Sequence, residues 1–343
     1  MLSAGCLFPV RPMFSLLKKS LLRISPNEAS FERRKFDNLE SPARANLEEV
    51  LRVFIRGYNL TLEIGDYQLL ARTFEKEFDS HYAGFAFEGA GMCFALLDLL
   101  VPRNPSRLRA FTDTAGRKHD YIATVGAGFA VARLPYGLLA FERYAEKLDP
   151  LVAWCVLDGY GFHQGVFQHR LFLDECREPP ATLADYGKQL FDSGIGRSLW
   201  WVKGASPLLI RQAIDGFREA RRSELWHGVG IACAYAGGVD EKVLIDLLDQ
   251  CGPYQKDFLS GVPFAARMRQ KGENPSPATD LACRLLLKMS CDEAANLLVK
   301  YMDELSAKWT GTQKDLGRKG YMLIREQVTR RFDLDNNELA VAF

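Results

Sequence analysis

The chain has 343 residues, of which 48% are hydrophobic and 25% charged, the composition of an ordinary globular protein. Its 44 Lys and Arg balance 43 Asp and Glu to a net charge of +1, which excludes a strongly basic surface for nucleic acid. No uninterrupted apolar run reaches the ~18 residues of a membrane-spanning helix, and no pair of cysteines has zinc or redox spacing. We expect a cytoplasmic protein with reduced cysteines and no metal or cofactor.

Residues 13–23 form a short, basic, amphipathic segment within an N-terminal extension that we assign to residues 1–43. Such a segment can lie on an anionic membrane surface, or it can dock as a helix on the body of the protein. Docking is favoured, because stable membrane binding usually requires a second signal.

A glycine recurs through the chain with a period of about 34 residues, the length of one helical hairpin in stacked-repeat proteins. The residue two positions later is also small or helix-breaking in each unit. The seven anchor glycines are Gly57, Gly89, Gly126, Gly159, Gly194, Gly228 and Gly261.

Each anchor lies in an apolar segment of helical length, and the residue four positions later is small in six of the seven units. Residues four apart share a helix face. Glycine costs a helix about 1 kcal/mol relative to alanine, so its repeated use indicates that neighbouring helices must approach closely.

Amphipathic second segments, such as residues 138–148 and 241–250, follow the anchors after Pro- and Gly-rich breaks. The pattern predicts an all-α fold of about seven helical hairpins in one repeat domain over residues 44–305, with residues 278–305 as a closing pair. Residues 306–343 are predicted to hold a last helix, at 316–332, and a mobile acidic tail. An open, tetratricopeptide-like superhelix fits the period best, and a closed α/α toroid is the alternative.

The position before the anchor carries Glu88, Asp158 and His227 in three of the units, and Asp192 lies beside it in a fourth. Equivalent positions of stacked repeats form a row, so we expect these side chains along one wall of the concave surface as proton donors or ligand-positioning groups. The competing and commoner explanation is that they decorate exposed helix starts.

His163 occupies the packing position that is small in the other six units. We expect it to push the neighbouring helix away or to point into a pocket. There it would act as an acid or base with Asp158 and Glu88 as further catalytic candidates, and Tyr160 and Phe162 would contact the ligand. The alternative is a hydrogen-bonded core histidine.

The segment 197–203 combines two cations with two tryptophans. Trp200 and Trp201 are candidates for stacking on a conjugated ligand, with Arg197 or Lys203 meeting its acidic end. Adjacent tryptophans face different directions on a helix, so we expect one of them in the core. No P-loop, Rossmann fingerprint, nucleophile elbow or zincin motif occurs in the sequence.

Several glycine-rich segments carry a family resemblance, among them Gly-Phe-Ala-Phe-Glu-Gly-Ala-Gly-Met at residues 84–92. With residues 125–133, 157–165, 194–200 and 226–240, this segment resembles the UnbL-type accessory family, domain of unknown function family 1702, found beside enediyne polyketide synthases in bacteria. The resemblance runs from about residue 31 to residue 298. It implies a role near a long, linear polyene, and it supplies no catalytic residue.

These observations lead us to expect a protein of bacterial secondary metabolism that binds a hydrophobic polyene or polyketide intermediate in a concave helical pocket. If it is an enzyme, the expected chemistry is cofactor-free cyclisation or isomerisation. One alternative is a non-catalytic adaptor that docks other biosynthetic proteins. Another is a terpene-cyclase-like toroid, against which the lack of Asp-rich metal motifs counts.

Overall fold

The predicted all-α fold is confirmed in a computed structural model, which describes residues 21–334 and contains no strand in that range. Two short helical turns, Pro26–Ala29 and Phe31–Arg34, precede the repeats. The helices that follow are α1 (Arg44–Glu63), α2 (Tyr67–Glu77), α3 (Ser80–Leu100), α4 (Arg107–Thr112), α5 (Asp120–Arg133), α6 (Gly137–Ala145), α7 (Cys155–Phe167), α8 (Asp185–Val202), α9 (Pro207–Asp215), α10 (Glu219–Ala236), α11 (Glu241–Gln250), α12 (Gln255–Gly272), α13 (Pro277–Ala282), α14 (Cys291–Lys308) and α15 (Gln313–Leu334).

The seven anchor-bearing helices pack against one another in unbroken succession, in the order α1, α3, α5, α7, α8, α10 and α12, and α14 packs on α12. Short second helices join most of them, as the hairpin pattern predicts. The fourth unit differs, because a π-helical turn at Arg170–Asp174 and an extended segment replace its second helix. Pro179 and Pro180 lie in that segment, where the absence of their backbone N–H groups prevents a helix.

The anchor glycines bring helix backbones into direct contact. A Cβ atom at Gly126 would lie 1.9 Å from the carbonyl oxygen of Glu88 in the preceding helix. A Cβ atom at Gly128, two residues later, would lie 2.2 Å from the carbonyl oxygen of Val156 in the following helix. Each such helix therefore uses one glycine toward each neighbour, which explains both small positions in the repeat.

The first unit has a different register from the one predicted. A Cβ atom at Gly57 would meet the carbonyl oxygen of Ala86 in the following helix, at 2.3 Å, so Gly57 is the second glycine of its unit. Ile55 then occupies the anchor position. Glycine is not required there, because residues 21–43 contain no repeat helix for α1 to approach.

Successive turns of the helical stack also touch, which favours a tightly wound superhelix over a toroid. Asn46 Nδ2 in α1 donates to the carbonyl oxygen of Ala236 in α10, at 2.9 Å. Lys271 in α12 forms an ion pair with Asp120 in α5, at 2.6 Å. The first and third units thus meet units that lie five and four repeats further along the chain.

Segments from both ends of the chain pack onto the repeats. Phe31 is fully buried, and the backbone of Ile24 exchanges two hydrogen bonds with the Asn59 side chain, at 3.0 and 2.8 Å. At the other end, α15 buries Tyr321 and Arg325. Most of the predicted amphipathic segment (residues 13–20) and of the predicted acidic tail (from residue 335) lies outside the described residues.

One described helix, α3, is long and apolar enough to span a membrane, with a mean hydropathy of 1.5 over its most apolar window. The sequence inspection missed it, because Glu88 and Asp98 interrupt its apolar run. The protein itself buries 83% of that window, which is the behaviour of a central core helix.

Candidate functional site

A cavity of about 230 Å³ opens between α1, α3, α5, α7 and α8. Its wall contains an unbroken series of rings, in which the centroids of Phe54 and Phe129 are 4.9 Å apart, those of Phe129 and Phe162 are 5.4 Å apart, and those of Phe162 and Trp201 are 5.0 Å apart. Residues from Arg23 to Arg34 lie along another side. We call this space the aromatic cavity.

The aromatic cavity is lined at its buried end by Glu88 and Arg197. Glu88 Oε1 lies 3.8 Å from Arg197 Nη2, beyond hydrogen-bonding distance, and has no hydrogen-bond partner in the described part of the chain. Arg197 instead pairs with Asp158, whose second oxygen accepts a hydrogen bond from Ser193 Oγ at 2.9 Å. Asp158 thus has hydrogen bonds on both carboxyl oxygens, whereas Oε1 of Glu88 is buried without one.

Burial raises the pKa of Glu88 from 4.5 to about 7, and the nearby Arg197 charge limits the rise while Asp158 adds to it. A carboxyl group with this pKa exists in both protonation states near neutral pH. It can therefore give a proton to a bound molecule or take one from it. Of the three predicted catalytic residues, Glu88 is the one with this property and a place in the cavity wall.

His163 and Asp158 do not form the predicted acid–base pair. The His163 ring stacks on Phe167, with centroids 4.3 Å apart, and meets the edge of Phe129. Burial, with the charges of two nearby arginines, lowers its pKa to about 3, so it stays neutral. The His163 ring does not push the next helix away either, because it lies against Phe167 of its own helix. Gly161 of the same helix therefore still approaches the carbonyl oxygen of Phe191 in α8.

The row of residues before the anchors exists, but it is buried rather than an open wall. Neighbours in the row bond to each other, as Ser193 does to Asp158 and as Ser260 Oγ does to His227 Nδ1, at 2.7 Å. The other nitrogen of His227 meets the Tyr321 hydroxyl of α15. Burial lowers the pKa of His227 well below its usual value, so this histidine is a neutral core residue.

Other predicted residues serve the fold. Asp192 receives two hydrogen bonds from Arg221, at 3.0 and 2.6 Å, and Tyr160 accepts one from the Gln164 amide, at 3.1 Å. Trp200 is the core tryptophan, with Nε1 bonded to the carbonyl oxygen of Gly237. Lys203 forms ion pairs with Asp37 and Asp174 away from the cavity.

Sequence reasoning missed Phe54, Phe129 and most of the other cavity residues, although a signal for them exists. The residue three positions after the anchor shares a helix face with the residue before it. In consecutive units this position holds Met92, Phe129, Phe162 and Arg197, and all four line the aromatic cavity. Phe162 and Arg197 were predicted individually from the sequence, but the row that they form with Met92 and Phe129 was not.

A second chamber lies beyond Arg197, which lines both spaces. It has a volume of about 40 Å³ and is closed by Tyr321 of α15. A further apolar cavity of about 200 Å³ separates α6 from α15. Among residues 21–334, no group of three or more His, Cys, Asp or Glu side chains is arranged to hold a metal ion.

Comparison with known proteins gives a family but no activity. A family model described as a protein of unknown function, DUF1702, matches residues 13–332. No match was found among curated proteins or among solved structures. Because the matched range includes nearly the whole chain, this protein belongs to the DUF1702 family.

Proposed function

We propose that this protein binds an apolar, conjugated molecule in the aromatic cavity, with Glu88 at the buried end of the site. The ligand class we favour is a polyene intermediate of a bacterial polyketide pathway of the enediyne type, acting in the cytoplasm. The observation that carries the proposal is the run of tilted and edge-on rings that leads to a buried carboxyl group with one oxygen lacking a hydrogen bond.

The walls of the cavity suit such a ligand. Aromatic side chains offer flat, polarisable surfaces that pack well on a conjugated chain. A few polar groups in an otherwise apolar site are typical of small-molecule binding sites. The volume of about 230 Å³ lies below the usual range of about 300–1,000 Å³ for such sites, so the cavity would enclose part of a long polyene rather than all of it.

Glu88 gives the site a means of moving protons without a cofactor. Acid–base-catalysed cyclisation or isomerisation of a polyene adds a proton at one carbon and removes a proton from another. Glu88 can do either near neutral pH, and the Arg197 guanidinium, 3.8 Å away, stabilises the carboxylate left after proton donation. Arg197 is in turn held in place by Asp158 and by the Phe162 ring, 4.9 Å from its guanidinium carbon.

Binding can be tested with a conjugated tetraene fatty acid, whose fluorescence rises when it enters an apolar site. Val50→Phe fills part of the aromatic cavity, and Leu148→Phe makes a similar addition to the cavity between α6 and α15. We expect Val50→Phe to weaken binding at least tenfold and Leu148→Phe to leave it unchanged. The reverse result, or equal loss in both variants, would contradict binding in the aromatic cavity.

The role of Glu88 can be separated from binding by a matched pair of substitutions. Glu224 is also buried, and burial likewise raises its pKa to about 7, but it is paired with Arg325 at 2.9 Å and does not line the aromatic cavity. We expect Glu88→Gln to abolish any conversion of the bound polyene while retaining binding, and Glu224→Gln to retain both. Unchanged conversion in Glu88→Gln would remove the carboxyl group from the chemistry.

Mass spectrometry of material copurified from the native host distinguishes this function from an adaptor role. A bound conjugated molecule supports the cavity, whereas copurified protein without any small molecule favours the adaptor. The fold also counts against an adaptor that uses the inner face, because α15 and the contacts between superhelical turns occupy much of that face.

A further inference from the structure

The aromatic cavity has an unbalanced set of charges. Four arginines and two glutamates line it. Three of the arginines have carboxylate partners within ion-pairing distance, namely Arg23 with Glu63, Arg34 with Glu28, and Arg197 with Asp158. The fourth, Arg133, has no carboxylate within that distance in the described part of the chain.

Arg133 and Glu88 lie in different environments. Arg133 is the last residue of α5 and is exposed to solvent, whereas Glu88 lies in the middle of α3 and is 4% exposed. The cavity therefore has an unpaired cation at its open side and, at its buried side, a carboxyl group with one oxygen that accepts no hydrogen bond. A ligand that extends between them would have two chemically different ends.

A second cation, Arg34, lies in the cavity lining beside its partner Glu28. The guanidinium carbon of Arg34 lies 4.1 Å above the centre of the Phe167 ring, in the cavity wall. Burial lowers the pKa of Arg34 and of His163, and Arg133 is close enough to lower both further by repulsion between like charges. An anion placed beside Arg133 would relieve this repulsion.

Building on the proposed function, we propose that the ligand is an amphiphilic anion whose carboxylate binds Arg133 at the cavity mouth and whose conjugated chain runs along the rings toward Glu88. A guanidinium accepts a carboxylate in a planar, two-point geometry, and the bonds are strengthened by charge. This arrangement places the carboxylate at the open side and leaves the far end of the chain for proton transfer.

The arrangement also differs from the one that the sequence indicated. Arg197 and Lys203 were the expected partners of an acidic end, but both are buried and already paired with carboxylates. A second acid beside either pair would displace an existing partner. Arg133 requires no such exchange.

The test compares a conjugated tetraene fatty acid with its methyl ester, by fluorescence titration of the full-length protein. We expect the acid to bind about tenfold more tightly than the ester, as one charge-assisted pair would give. Arg133→Gln should remove this preference by weakening the acid alone, and Arg133→Lys should retain part of it. Arg143→Gln, an exposed arginine on α6 outside the cavity, is the matched control and should change neither affinity.

The outcomes separate this inference from the proposed function. Equal binding of acid and ester to the unaltered protein, or an undiminished preference in Arg133→Gln, would overturn the anionic ligand while leaving an apolar site. Failure of both probes to bind, or binding that Val50→Phe does not weaken, would overturn the proposed function itself.

Discussion

Replacing a contact glycine by alanine should destabilise the protein despite the better helix propensity of alanine. At Gly91 in α3, a Cβ atom would lie 1.8 Å from the carbonyl oxygen of Ala123 in α5. An ordinary carbon–oxygen contact is about 3.3 Å, so the two helices must separate by about 1.5 Å at this point. Overpacking typically costs about 1–3 kcal/mol, and the separation also weakens dispersion contacts along the interface.

The propensity of alanine offsets about 1 kcal/mol of that cost. Because backbone atoms, not flexible side chains, form the obstacle, we expect the upper end of the range and a net loss of about 2 kcal/mol in the free energy of unfolding. Urea unfolding followed by far-ultraviolet circular dichroism measures the change as a lower midpoint at unchanged slope.

Gly320 in α15 provides the control. A Cβ atom there would meet only side-chain atoms of Leu305 and Leu316, the nearest at 3.5 Å, which is an ordinary contact. Gly320→Ala should therefore be neutral or stabilising by up to about 1 kcal/mol. If Gly91→Ala proved as stable as Gly320→Ala, backbone contact would not be the reason for the repeated glycines.

Three further predictions follow from the buried polar groups. Because burial raises the pKa of Glu88, the folded state binds its proton more tightly than the unfolded state does, and the free energy of unfolding should fall as pH rises from about 4.5 to about 7. Glu88→Gln should remove this part of the decline. Urea midpoints of the wild type and the variant that differ by the same amount at every pH from 5 to 8 would contradict it. His163→Ala should cost about 2–4 kcal/mol at pH 8 by the same measurement, because a neutral ring packed on Phe167 is lost. The cost should be smaller at pH 5, where the unfolded wild-type chain protonates His163 and the folded state keeps it neutral. Intact stability with lost ligand binding would restore His163 to the site. Arg325→Met should lower the free energy of unfolding by about 3–5 kcal/mol, measured with urea, because the buried Glu224 loses its counter-charge. Adding Glu224→Gln to this variant should recover part of that stability. No recovery would show that the ion pair is not responsible.

Part of the candidate site could be predicted from the sequence, and the structure places His163 outside it for a physical reason. Glu88, Phe162, Arg197 and Trp201 were chosen from the sequence and do meet at the aromatic cavity. His163 was chosen because it breaks the small-residue pattern, but bulk at one position does not show which way a side chain points. Here it points onto a ring of its own helix, where burial keeps it neutral.

The local sequence determined the all-α class and the succession of helices, because both follow from short-range rules. Glycine spacing sets the unit length, apolar periodicity sets the helix faces, and Pro–Gly breaks set the helix ends. Even the two-residue error at Gly57 follows from this, since a single chain segment does not show whether a preceding helix exists for its glycine to face.

The tertiary structure alone decided which polar groups are free. Asp158 and Glu88 hold equivalent repeat positions, yet one is fully bonded and the other retains an unpartnered oxygen. The difference arises from Arg197 and Ser193, more than thirty residues further along the chain than Asp158, and from the curvature that brings successive helices around one axis. Charge pairing and burial depend on distances in space between remote segments, and these distances are set by the packing of the whole superhelix.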